Sequence, residues 1–168
     1  SIGLVGSEMC IRDRENKVKK IGFSLSNLDE AELLLGSNII PDIVQIPFNI
    51  FDHRFECLSI ILKGHGVEIH ARSSFLQGLF FLPENILQSK FPAVKELVLN
   101  LRNNNEPYFK SYLMKYSLNK KFIDNIVIGV QNYDQLIQNI EALNCIKKHD
   151  YSELPNNIPE NIINPSLW

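Results

Sequence analysis

Residues 42–72, DIVQIPFNIFDHRFECLSIILKGHGVEIHAR, carry the reading that decides the fold. Asp42–Ile46 (DIVQI) is a compact apolar run behind Pro41, and Val67–Arg72 (VEIHAR) is a second strand-like run. Between them, after a loop with Pro47 and Asn49, Phe55, Leu58, Ile61 and Leu62 recur at helical spacing. Gly64-His65-Gly66 then turns the chain into the second run. Strand, helix, strand is the crossover unit of a parallel sheet.

The same alternation extends both ways. Upstream, Lys17–Phe23 (KVKKIGF) reads as a strand, and Asn27 with Glu30 makes a capping-box-like helix start. Leu28, Ala31, Leu34 and Leu35 follow at helical spacing, and Gly36 ends the run. Downstream, Ser73 to Pro92 is loop-like, with a short helix around Glu84–Gln88. Val94, Leu97, Val98 and Leu101 mark a helix that Asn103-Asn104-Asn105 stops, and Phe109, Tyr112, Leu113 and Tyr116 mark another. Ile126–Ile128 is a buried strand closed by Gly129; Tyr133, Leu136, Ile140 and Leu143 lie on a long helix after Asn132. From Tyr151 the tail, with Pro155, Pro159 and Pro165, reads as an extended strap. About four parallel strands alternating with helices define an α/β fold, either an open doubly wound sheet or part of a (β/α) barrel. Both place ligands at strand C-termini.

Composition narrows the function. The chain has 168 residues, 45% apolar and 21% charged, with net charge −2, so it has the makings of a globular core. A pI near 6.1 without a basic block argues against nucleic acid as a partner, and no apolar run reaches a membrane span. Cys10, Cys57 and Cys145 form no CxxC pair and read as reduced thiols of a cytoplasmic protein, Cys57 as a small core residue. The four histidines lack HxH or HExxH spacing, so no metal is expected. No GxGxxG, GxxxxGK[ST] or GxSxG follows a strand. Residues 1–14 show neither helical nor alternating periodicity, and Val5–Arg14 (VGSEMCIRDR) resembles translated sequencing-library adapter. They are read as a non-native or disordered segment, with the domain over residues 15–168.

The strand ends carry a family resemblance. Ile21-Gly22-Phe23-Ser24, Asp42–Asn49 (DIVQIPFN) and Arg72–Leu79 (RSSFLQGL) resemble three successive blocks of the aldo/keto reductase family. Ile126–Ile140 (IVIGVQNYDQLIQNI) is similar to its eighth strand and the following cofactor-clasping helix, and Asn164–Trp168 to its closing segment. The resemblance implies the C-terminal half of a (β/α)8 TIM barrel using NADPH or NADH. It implies that Ser24 and Gln45 bind the nicotinamide carboxamide, that Arg72 stacks under the ring, and that Ser73 and Phe75 follow the pyrophosphate. Gly129, Gln135 and Asn139 belong to the adenosine end. Gly129 stands where many members carry Lys and Gln135 where they carry Arg. NADPH is therefore expected to be favoured by less than about 10-fold unless another cation reaches the site, Lys147 and Lys148 being carried past it.

The family's catalytic Tyr, Lys, His and Asp all precede the IGFS block, so none is assigned here. The implied parent enzyme moves a hydride between NAD(P)H and a carbonyl compound. RSSFLQGLF and QIPFNIFD are most similar to a bacterial subgroup found among surface-sugar genes, which implies a sugar-like substrate. This chain would lack the catalytic half and be inactive alone, its partner being the missing N-terminal half-barrel. The alternative is a non-catalytic half-barrel that binds a nucleotide or a protein. As a half-barrel it would leave Lys17–Phe23 and Ile126–Ile128 as edges with apolar side chains turned toward the missing strands.

Overall fold

The computed structural model describes residues 18–152, 154–155 and 157–168. The adapter-like string and Lys17 lie outside the described residues. Four strands, β1 (Gly22–Ser24), β2 (Ile43–Pro47), β3 (Glu68–Arg72) and β4 (Asn125–Val127), form one sheet in sequence order. Every pair is parallel, with Ser24 beside Gln45, Gln45 beside His70, and His70 beside Asn125.

Helices connect the strands: α1 (Leu28–Gly36) and α2 (Glu56–Gly64), then α3 (Glu84–Lys90), α4 (Lys95–Asn105) and α5 (Phe109–Leu118) between β3 and β4. α6 (Tyr133–Asn144) follows β4, and the tail carries the short α7 (Glu160–Ile163). At α1 the Asn27 carboxamide accepts from the Glu30 N–H as expected, while the Glu30 carboxylate accepts from the N–H of Ser26, one residue before the cap, rather than from that of Asn27 itself. α4 takes in the Asn103–Asn105 run and ends at its last residue, with Glu106 as the C-cap. The tail is more regular than the expected strap, with α7 and a 3-10 turn over Pro165–Leu167.

The sheet is one-sided. Phe23, Val44, Ile46, Ile69, Ala71 and Ile126 face the helix layer, where Phe55, Leu58, Leu62, Leu113 and Tyr116 complete the core. The alternate positions, Ser24, Gln45, Glu68, His70, Arg72 and Asn125, occupy the other face. The edges therefore differ from the expectation. Strand period turns their apolar residues Phe23 and Ile126 toward the helices, and of the outward residues only Val127 is apolar.

Large apolar side chains are exposed mainly on helices. On α6 the expected stripe Tyr133, Leu136, Ile140 and Leu143 is exposed, and the buried residue is Asn139. Cys57 is also exposed, because Phe55, Leu58 and Leu62 occupy the inner face of α2. Among the described residues no helix is long and apolar enough to cross a membrane.

Candidate functional site

The loop after β3 builds one wall of a groove at the strand C-termini. Ser73 (φ 64°), Leu76 (φ 44°), Gln77 (φ 52°) and Gly78 (φ 84°) all take left-handed backbone, which only the glycine adopts without strain. The neighbouring loop holds this arrangement in place. The buried Asn49 donates from Nδ2 to the Ser73 carbonyl at 3.1 Å, and the Phe48 N–H donates to the Arg72 carbonyl at 3.1 Å. Asn49 in turn accepts from the Phe51 and Asp52 amides, and the fully buried Asp52 carboxylate receives Arg54 in a two-pronged ion pair at 2.9 and 3.0 Å.

The groove measures about 900 Å³ and runs from β2 and β3, over the Ser73–Gly78 loop, to β4 and the first half of α6. Gln45, Arg72, Ser73, Phe75, Gly129, Gln135 and Asn139 all line it. Ser24 lies beside it, exposed on the same sheet face next to Gln45. The Arg72 guanidinium reaches across to β1, donating to the Leu25 carbonyl at 3.2 Å and to Ser26 Oγ at 3.0 Å. Burial pushes its pKa down, while the charge of Asp52 opposes the shift.

On α6 the Gln135 carboxamide oxygen accepts from the Gln131 N–H and its own N–H donates to Asn132 Oδ1, each at 2.9 Å. Gln135 thus helps to cap the helix, which leaves its NH2 for the groove. A Cβ added at Gly129 would meet no atom within 4 Å, so crowding does not forbid a cation there.

Several site residues were not singled out from the sequence. Ser74 lines the groove and is buried, and its Oγ has no hydrogen-bonding partner among the described residues. Such an orphan suits a wall that a polar ligand completes. Lys110 and Gln138 line the groove from α5 and α6. Lower on the open sheet face, Glu68 accepts from Lys20, lies 2.7 Å from His70 Nε2 and accepts from Asn125 Nδ2 at 3.1 Å. Lys20 first, and then His70, hold the Glu68 carboxyl down at about 2. Alternation along VEIHAR carried the signal for Glu68 and His70; Lys110 had none, because its helix is distant in sequence.

An aromatic staple lies apart from the groove. Tyr116 OH meets His53 Nε2 at 2.8 Å and its ring stacks on Phe48, while Tyr151 from the tail packs on both Tyr112 and Tyr116. Burial pushes both the Tyr116 and Tyr151 hydroxyls well above the ordinary tyrosine value. Among the described residues no cluster of three His, Cys, Asp or Glu could hold a metal ion.

A parallel sheet with helices on one face and a groove across its strand C-termini defines part of an α/β barrel. The Aldo/keto reductase family model matches residues 13–155, and the chain belongs to that family. Among solved structures it is similar to the aldo-keto reductase AKR11C1 from Bacillus halodurans in its holo form. That match has 23% identity and a TM-score of 0.64, over 83% of this chain and 49% of that one. The apo form of the same protein matches at 18% identity and a TM-score of 0.61, over 94% and 53%. A thermostable aldo-keto reductase, Tm1743, solved with the inhibitor epalrestat, matches at 18% and 0.55, over 96% and 52%. The chain thus spans about half the length of the solved structures it matches. No curated protein matches it.

Proposed function

We propose that this chain is the nicotinamide-dinucleotide-binding part of an aldo/keto reductase whose whole form reduces a carbonyl or sugar-like substrate in the cytoplasm. The observation that carries this reading is that residues spread from Gln45 to Asn139 meet in one groove. The groove has the volume of a small-molecule site. Its polar groups suit a dinucleotide: amides of Gln45, Gln135 and Asn139, the guanidinium of Arg72, and the unpartnered Ser74 hydroxyl. When bound, the cofactor supplies or accepts the hydride. The chain's own part is to hold it: Ser24 and Gln45 at the carboxamide, Arg72 at the ring, Ser73 and Phe75 along the pyrophosphate, and Gly129, Gln135 and Asn139 around the adenosine.

A complementary half-barrel is the proposed partner, supported by the unpaired edges of β1 and β4 and the outward stripe of α6. Proton transfer is assigned to that half, so the isolated chain should bind a nicotinamide dinucleotide without turning over carbonyl compounds. Proton donation contributes about 10²–10⁴-fold and positioning adds more, so the loss should be near total. The test is a calorimetric titration with NADPH and NADH beside an aldehyde and aldose panel. Turnover above a no-protein blank refutes the assignment of catalysis to the partner; failure to bind either cofactor refutes the dinucleotide reading.

A further inference from the structure

The left-handed loop of the groove is held from behind, by a side chain that no ligand reaches. Asn49 is fully buried in the loop after β2 and forms no part of the groove wall. Both ends of its carboxamide are occupied. Oδ1 accepts from the Phe51 and Asp52 N–H groups at 2.9 and 3.2 Å, and Nδ2 donates to the Ser73 carbonyl at 3.1 Å. Turned end for end, the oxygen would face a carbonyl and the NH2 would face two N–H groups, so only one orientation is satisfied.

The turn that carries Asn49 is itself braced. Asn49 and Asp52 exchange backbone hydrogen bonds at 3.2 and 3.1 Å across it. The fully buried Asp52 carboxylate accepts from Arg54 through Nε, through the guanidinium NH2 and through the backbone N–H. Charge-assisted bonds of this kind fix direction as well as distance.

Ser73, in contrast, has another conformation open to it. At φ 64° it occupies a region that a serine leaves readily for extended backbone. Its carbonyl is bonded by the Asn49 amide and by the Leu76 N–H, the latter at 2.8 Å. The direction of that carbonyl sets the next peptide, and with it the aim of Ser74 and Phe75 on the groove wall.

We propose that Asn49 is a positioning residue for the dinucleotide: it touches no ligand, and it sets affinity by keeping Ser73 left-handed, so that the Ser73–Phe75 wall is formed before the pyrophosphate arrives. The inference rests on the dinucleotide reading above. No covalent bond is made or broken; a wall already formed removes an ordering cost from binding.

The test titrates the full chain with NADH and NADPH in a two-by-two set: wild type, Asn49→Ala, Ser73→Gly and the double variant. Circular dichroism and melting confirm that each is folded. Asn49→Ala should weaken binding by at least about 5-fold, the population shift set by the strain of one left-handed serine. Glycine takes this backbone without strain, so in the Ser73→Gly background the same substitution should cost less than about 2-fold. A general structural loss would be the same in both backgrounds. If Asn49→Ala does not fold, Asn49→Ser takes its place in the set. Its hydroxyl still accepts from the turn, but it is too short to reach Ser73. Ser59→Ala removes another fully buried hydrogen-bonding side chain, on α2, and should leave the affinity unchanged. Equal losses in the two backgrounds, or no loss in either, overturn the role of Asn49 and leave the dinucleotide reading standing. A loss in Ser59→Ala as large as that in Asn49→Ala does the same. Failure of the wild type to bind either cofactor overturns both.

Discussion

A methyl group added at Gly22 would sit 2.3 Å from the Ile43 carbonyl oxygen and 2.9 Å from Ile43 Cβ. Both obstacles belong to the adjacent strand, one of them to its backbone, so neither can swing aside. Gly22→Ala should therefore push β1 away from β2 and cost about 1–3 kcal/mol, the usual range for overpacking. Comparing urea midpoints with those of Gly36→Ala, where a Cβ meets nothing within 4 Å, checks this; equal effects refute it. Position by position, the sequence was most informative where a residue conflicts with its element. Gln45 inside an apolar strand had to find a polar surface, and it lines the groove. Ser74 and Lys110 conflicted with nothing local, and only the tertiary fold brings them to the same wall.

Among the elements, α6 shows why periodicity finds a helix more reliably than it finds the buried side. The spacing of Tyr133, Leu136, Ile140 and Leu143 locates the helix correctly, yet these residues face outward while Gln135, Gln138 and Asn139 line the groove. A hydrophobic stripe is the kind of surface an apolar partner would cover, and the described sheet leaves this one exposed. The isolated chain should accordingly self-associate, and replacing Leu136 and Ile140 together with Gln should shift it toward monomer. Sedimentation velocity over a concentration series reads the change. A wild type that stays monomeric throughout removes the basis for the stripe's role. β2, β3 and β4 were legible to within a residue because apolar runs bounded by Pro and Gly are short and local, whereas the run read as a strand from Lys17 to Phe23 forms one only over Gly22–Ser24. The exposed side of Cys57 was not, since a single small residue carries no periodic signal.

For the molecule as a whole, the one-sided sheet leaves a row of polar and charged groups across its open face. Glu68 is the centre of that row, and its folded carboxyl lies at about 2 against an ordinary 4.5. A carboxyl lowered by folding adds stability above its unfolded value and loses it as pH falls through the folded one. Part of the acid destabilisation between about 4.5 and about 2 should thus trace to Glu68. Its partners there are Lys20, His70 and Asn125, with Asp42 and Asp124 acting on Lys20 through their charge. Glu68→Gln should flatten the fall of Tm with acid in that window, and an unchanged acid limb would place the effect on other carboxylates. The groove and the outward stripe also occupy two faces of a single helix, α6. Whatever seats the stripe fixes the groove wall, and whatever fills the groove fixes the stripe. If, as proposed, a nucleotide fills the groove and an association seats the stripe, reciprocity requires the nucleotide to shift the association constant by the factor by which association shifts nucleotide affinity.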